Sequence, residues 1–374
     1  GMVARHAVET LRDFSRTAQP FFLAVGFHRP HLPWIVPQKY FDLYPEEDDI
    51  PLAACPLPPV DYNATGAQPF SWDPQSGPRH CAPLYGQTYP APALLPEYGL
   101  VDNSTARHFR RSYWAAVSQM DRNVGIVLAE LHRLGLADST LTVIMGDHGW
   151  QLGDLGEWGK KTLFERATRA PLLVRDPRAR SRPAAESRAL VEFVDVMPTV
   201  IDLALGANDV PPLCPEGDPS GPAECTEGAS LRNAMEHPSA DFDAERPAAF
   251  MQYAACMHDE KVWHDACANP TEPRVMGYGM RTRRWRYIEW VRFDRREARP
   301  LWNETTGVLG TELYDHGPGD TVRDAAEAVN LVARPAYKET VMRLSAMLRR
   351  GWRGRGVVEV ETEEGEEVER TVGE

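Results

Sequence analysis

The sequence predicts an α/β protein: a sheet flanked by helices, followed by a smaller C-terminal α+β subdomain. Three observations predict it. Residues 105–135 place Phe109, Tyr113, Val117, Met120, Val124, Val127 and Leu131 on one helical face, the stripe of a helix laid on a core. Gly135 ends that pattern and the apolar, β-branched run 141–146 follows at once, so helix and strand make one α/β unit. Residues 276–290 then alternate across a polar, Arg-rich turn, as a hairpin does.

The remaining elements follow in chain order. Val3, Ala7, Leu11 and Phe14 recur at helical spacing, which predicts a helix over 3–15. Residues 20–27 (PFFLAVGF) read as a buried strand, and two prolines hold the next loop, His28 to Pro33, extended. Residues 45–100 are Pro-rich and aperiodic, a functional or covering insertion. Residues 172–174 form another short strand. Residues 191–205 form a helix entered through Asp195 and Pro198. Residues 206–245 read as a linker or lobe. Residues 311–315 continue the C-terminal subdomain, and 336–352 close it with an amphipathic helix. The boundaries are therefore 1–245 for the α/β domain, 246–353 for the subdomain, and 354–374 for an acidic, solvated tail. No internal repeat occurs.

The 374 residues suffice for one large α/β domain with a smaller neighbour. A net charge of −13 argues against broad nucleic-acid binding, which needs a basic face. The Arg-rich stretch 281–299 leaves room for a local anion-binding face. No apolar run reaches the ~18 residues of a membrane span.

The six Cys are Cys55, Cys81, Cys214, Cys225, Cys256 and Cys267. Close spacing suggests the disulfides Cys214–Cys225 and Cys256–Cys267, with free thiols or metal ligands as the other readings; no C-x-x-C supports zinc. Asn63, Asn103 and Asn303 begin glycosylation triplets. Together these features suit a glycoprotein of an oxidising compartment, lysosomal or secreted. The N-terminus carries no secretory signal, since Arg5, Glu9, Arg12 and Asp13 interrupt it. The expectation is either a cytosolic protein or a natural chain that begins earlier.

The chemistry concentrates in 141–171. A carboxylate and an imidazole, Asp147 and His148, stand at the mouth of an expected buried strand, and Lys160 follows a short Gly-rich loop. In open α/β sheets, ligands bind at the carboxyl ends of strands. An oxygen ligand, a nitrogen ligand and an ammonium suit a metal-held oxyanion such as sulfate or phosphate. His28 and His31 lie at a second strand end, where one could transfer a proton. Each residue also has an ordinary reading: Asp147–His148 as a strand-ending turn, Lys160 as a solvated surface group, the histidines as loop residues.

These residues carry a resemblance. Blocks 20–35 (PFFLAVGFHRPHLPWI), 111–126, 145–173 (MGDHGWQLGDLGEWGKKTLFERATRAPLL), 190–205 and 276–291 resemble the sulfatase family, and within it the iduronate-2-sulfatase-like branch. The resemblance implies an alkaline-phosphatase-like sulfatase sheet flanked by helices, with 1–245 a partial catalytic domain whose N-terminal part is missing. It implies a sulfuric ester hydrolase acting on sulfated sugars or glycosaminoglycan. Asp147 and His148 match two ligands of the family's Ca²⁺. Lys160 matches the lysine that holds the sulfate oxygens, and His31 the histidine on the leaving-group side. Trp150, beside them, suits a sugar face or core packing equally well. Leu155 stands where the family often has a His.

One absence matters. The family's nucleophile is a formylglycine made in a C-x-P-S-R or C-x-A-x-R setting, and none of the six Cys has it. The early Asp pair that completes the calcium shell is missing too, and two ligands seldom hold an ion that takes 6–8 oxygens. The expected chain is thus a C-terminal sulfatase piece, inactive alone, whose partner is an N-terminal segment of the same precursor. The alternative is a non-catalytic binder of sulfated glycans. A phosphoester or phosphonate hydrolase is a third reading, without a recognisable Ser or Thr nucleophile.

Overall fold

A computed structural model describes residues 1–17, 19–54, 101–179, 184–215, 224–242, 246–258, 261–263, 275–303, 305, 307–317, 327, 329–351, 357–361 and 367–371. Cys55, Cys81, Cys267 and Asn63 lie outside them, as does most of the 45–100 insertion. The described residues fall into two compact units, each taken by itself below: residues to 54, 101–160 and 170–179 in the first, 161–169 and 184 onward in the second.

The first unit is built on two helices, α1 (Met2–Thr17) and α3 (Asn103–Arg133). Between them comes the single turn α2 (Gln38–Phe41). Leu11, Leu131 and Ala137 are buried together, with Phe21, Leu23 and Val127 packed around them. Arg12 and Arg133 both donate to the Glu130 carboxylate, tying α1 to the end of α3. Asp102 caps α3 by accepting from the Thr105 amide at 3.0 Å. Asn103, of the second glycosylation triplet, is exposed in its first turn.

Strand β1 (Thr142–Met145) pairs antiparallel with β4 (Leu172–Arg175), and the short β2 (Gln151–Leu152) with β3 (Trp158–Gly159). Leu155, in the turn between β2 and β3, is fully buried in the left-handed region at φ 57°. A second cluster gathers Leu32, Trp34, Ala106, Phe109, Ala116 and Trp158.

Two sequence expectations need correction here. The run ending at Asp147 is a strand but not a buried one: Met145 is 43% exposed and Leu173, on its partner, 57%. Among the described residues β1 pairs only with β4, so its apolar faces remain partly open. Residues 20–27 are not a strand. They are extended without ladder bonds, with Phe21, Leu23, Val25 and Phe27 half-buried and Phe22 82% exposed. Hydrophobicity predicted the extended backbone, but no described strand lies beside it to complete a ladder.

The second unit begins with the single turn α4 (Glu165–Thr168) and α5 (Val196–Ala204), then α6 (Arg232–Glu236). Of the linker or lobe expected over 206–245, the described residues show a lobe: Leu213 bridges Thr226, and Cys214 and Cys225 form a disulfide. An antiparallel sheet follows in the order β10–β8–β7–β5–β6, formed by β5 (Ala249–His258), β6 (Lys261–Trp263), β7 (Val275–Arg281), β8 (Trp285–Asp294) and β10 (Val308–Asp315). The two residues of β9 (Arg299–Pro300) lie beside the end of β8. Helix α7 (Lys338–Arg350) closes the unit. Within 354–374 the backbone forms a hairpin of β11 (Val357–Glu361) and β12 (Glu367–Thr371).

β8 is buried from Trp285 to Val291 on both faces. On one side Trp285 and Tyr287 cluster with Leu344 and Leu348 of α7, while Ser345 and Arg349 donate to Glu289. On the other, residues 161–169 cover the strand. A Cβ on Gly277 would lie 2.7 Å from Leu163 Cδ1 and 2.8 Å from the Trp290 ring, so only glycine admits this close approach. No helix among the described residues is long and apolar enough to cross a membrane.

Candidate functional site

Every site residue singled out in the sequence lies in the first unit, and the structure gathers them around Trp150. The hairpin β2–β3 returns the chain so that Lys160, just past β3, meets His148, just past β1. Lys160 Nζ lies 2.6 Å from His148 Nε2. An ammonium can only donate, so Nε2 accepts. His148 Nδ1 lies 2.7 Å from the Gly149 carbonyl, which can only accept, so Nδ1 carries the proton. Both bonds define one neutral tautomer with its Nε2 lone pair turned to the cation, the form in which histidine ligates metals.

Asp147 Oδ2 stands 3.5 Å from the same Nε2. Two atoms about 2.3–2.6 Å from one ion, at about a right angle, have this separation. The pair therefore fits two adjacent positions of a calcium shell only when the Lys160 ammonium moves off the Nε2 lone pair, and it fills only part of that shell.

His31 reaches the cluster from the His28–Pro33 loop, its ring 6.0 Å from that of Trp150 and edge-on to it. Its Nδ1 lies 2.9 Å from the Leu32 carbonyl, which also takes the His28 Nε2 proton. This leaves His31 Nε2 as the free end of the ring among the described residues. The Lys160 ammonium sits 6.0 Å from the Trp150 ring centroid and the His148 ring 6.2 Å away.

Trp150 divides its surface between site and core. Tyr113 stacks on it at 6.3 Å and Trp34 meets it edge-on, while its indole N–H is buried without a partner among the described residues. Burial pushes the Tyr113 phenol upward. The sequence placed Tyr113 on a packing stripe and Trp34 in the histidine block. Nothing local linked either to Trp150, because the contact joins three distant segments.

The second unit holds another acidic–histidine group that the sequence did not reveal. Glu165, His316 and Glu327 bring ligand atoms within 4.8 Å of one another. The Arg286 guanidinium occupies their midst, donating to both Glu165 and Glu327. It supplies the positive charge that a metal would, so this group does not fit an ion. Part of the Arg-rich stretch 281–299 is matched by carboxylates in the same way. Arg281 pairs with Glu165, Arg283 with Asp241, and Arg284 with Asp315, so the charge nearest the hairpin turn is already neutralised.

The family model described as Sulfatase matches residues 3–207. The chain is 34% identical to iduronate 2-sulfatase of Mus musculus over 82% of its own length and 58% of the relative's. It is 34% identical to that of Homo sapiens over 77% and 55%. A phosphonate monoester hydrolase from Silicibacter pomeroyi shares the fold with a TM-score of 0.66, at 23% identity, across 98% of this chain and 62% of the other. The chain belongs to the sulfatase family and has its α/β fold. It spans rather more than half the length of the curated relatives it matches.

Proposed function

We propose that this chain contributes the lysine-and-cation side of a sulfuric ester hydrolase site of the iduronate-2-sulfatase type, acting on sulfated sugars or glycosaminoglycan. The gathering of Asp147, His148, Lys160 and His31 about Trp150 carries the reading. Lys160 neutralises sulfate oxygens by charge-assisted hydrogen bonds. Asp147 and His148 hold part of the shell of a calcium ion, which when bound adds positive charge against the same oxygens. His31, anchored through Nδ1, keeps Nε2 for a proton to the departing sugar oxygen. The exposed face of Trp150 offers an apolar surface to the sugar ring.

None of the six Cys stands in a formylglycine setting, so the chain alone is inactive in this reading. Its partner is an N-terminal sulfatase segment of the same precursor. The Cys214–Cys225 disulfide and the exposed Asn103 and Asn303 support a glycoprotein of an oxidising compartment, lysosomal or secreted. The missing nucleophile equally favours a second reading, a binder of sulfated glycans without turnover. Hydrolysis of 4-methylumbelliferyl sulfate separates the two. The chain alone is expected at background. A longer form carrying the formylglycine motif is expected to turn over, and to stop on Lys160→Ala. Turnover that survives Lys160→Ala overturns the role given to Lys160, and a longer form that binds sulfated glycan without turnover overturns the hydrolase reading and establishes the binder.

A further inference from the structure

The loop from His28 to Ile35 has few amides with which to hold itself, because Pro30 and Pro33 carry no N–H. Side chains of the loop supply donors instead. Three successive carbonyls are each tied by one: Pro30 accepts from Trp34 Nε1 at 2.8 Å, His31 from Arg29 Nη1 at 3.2 Å, and Leu32 from His28 Nε2 at 3.0 Å. Arg29 Nη2 reaches on to the Ile35 carbonyl at 3.1 Å. Leu32 and Trp34 root the loop in the core beside Phe109 and Trp158, while His28 and His31 stay exposed with their rings 4.8 Å apart. The Leu32 carbonyl is the common point. It takes the His28 Nε2 hydrogen and, at 2.9 Å, the His31 Nδ1 hydrogen, one on each lone pair. The peptide that carries it ends on the Pro33 nitrogen, so no hydrogen bond can hold its plane from the nitrogen side.

We propose that His28 is a positioning residue for His31: it holds the Leu32 carbonyl as the acceptor that keeps the His31 proton on Nδ1, so that Nε2 is the end that takes up and gives a proton. Which nitrogen of an imidazole is protonated is set by the bond the other makes. In water Nε2 is the more common site. Without a fixed acceptor beside Nδ1, the His31 ring therefore reverts toward the form whose Nε2 already carries the hydrogen and has no lone pair. The role rests on the reading of His31 as the histidine on the leaving-group side, while its tautomer is measured without turnover. A staple that merely stabilised the loop would move the melting temperature and leave the tautomer as it is.

The test is the long-range nitrogen–proton NMR spectrum of the folded chain labelled with heavy nitrogen in its histidines. It is recorded at pH ~8, above the ordinary imidazole range. His31 is identified as the ring whose signals His31→Gln removes. The unmodified chain is expected to show it as the Nδ1–H form, and a predominant Nε2–H form overturns the proposal. His28→Ala is expected to lower the ratio of Nδ1–H to Nε2–H at His31 about threefold or more. His28→Gln, whose amide nitrogen can stand in for Nε2 and donate to the same carbonyl, is expected to keep most of it. Should His28→Ala not fold, His28→Phe, which keeps a ring and removes the donor, reads the same ratio. An unchanged ratio in a variant that still melts cooperatively overturns the proposal. An equal fall in His28→Gln does so too, because the carbonyl would then not be the link. Inorganic sulfate with calcium is added in a separate arm and is expected to shift the His31 ring signals beyond what calcium chloride does. Failure of sulfate to move them overturns the sulfate-site reading, and the variant ratios still decide whether His28 positions His31.

Discussion

Lys160 and His148 meet at 2.6 Å, with the imidazole fixed as its Nδ1–H tautomer by the Gly149 carbonyl. The contact joins a residue just past β3 to one just past β1, so the loop between them serves to bring an ammonium onto a lone pair. The bond lies at the half-exposed margin of its unit, where a hydrogen bond contributes little net stability. Lys160→Met is therefore expected to shift folding stability by no more than about 0.5 kcal/mol. Sulfate affinity, followed by isothermal titration, is expected to fall about tenfold or more. A large loss of stability with sulfate binding intact would make Lys160 a structural residue.

Close approach makes a graded prediction at two glycines. A Cβ on Gly228 would come within 2.0 Å of the Val194 carbonyl oxygen and 2.7 Å of the Asp195 amide nitrogen, both backbone atoms that side-chain rotation cannot relieve. At Gly277 the obstacles are Leu163 and Trp290, side chains with some freedom to move. Gly277→Ala is expected to cost about 1–3 kcal/mol, the usual range for overpacking. Gly228→Ala is expected to cost more, because the backbone around Asp195 must shift. Urea denaturation of both variants measures the order, and equal losses would contradict it.

Acid should weaken the second unit through Glu165. Burial alone would raise its carboxyl, but Arg286, Arg281 and His316 outweigh burial and hold it at about 2, against a usual 4.5. A depressed carboxylate stabilises above the unfolded value and loses that contribution as pH falls from 4.5 toward 2. The amount at stake is up to about 3 kcal/mol. Glu165→Gln is expected to be less stable at neutral pH and to lose less than the unmodified chain across that acid range. Parallel acid-denaturation curves would rule the carboxylate out as their cause.

Much of the first unit was legible because its signals are local. The stripe from Phe109 to Leu131 and the stop at Gly135 specify α3 within one turn of its observed ends, while the Asp102 cap emerged only from the structure. The site was legible for a related reason. Asp147, His148 and Lys160 lie within one short stretch, although its Gly-rich loop hid the hairpin β2–β3, whose strands are only two residues each. Residues 20–27 misled because hydrophobicity reports extended, half-buried chain whether or not a neighbour completes the ladder. The Arg286 cluster was invisible because Glu165, Arg286 and Glu327 are far apart in sequence, and an Arg-rich hairpin looks the same whether its charges face solvent or carboxylates. In the sequence Trp150 suits sugar and core equally, and its contacts with Tyr113 and Trp34 give part of the ring to packing.

β8 lies between two covers drawn from opposite ends of its unit's sequence: residues 161–169 over Trp290, and α7 over Tyr287. Removing either cover wets the same strand, so the two are lost together. Amides of β8 should accordingly be the last of the unit to exchange with deuterated solvent, and a protease that severs α7 should free the 161–169 segment as well.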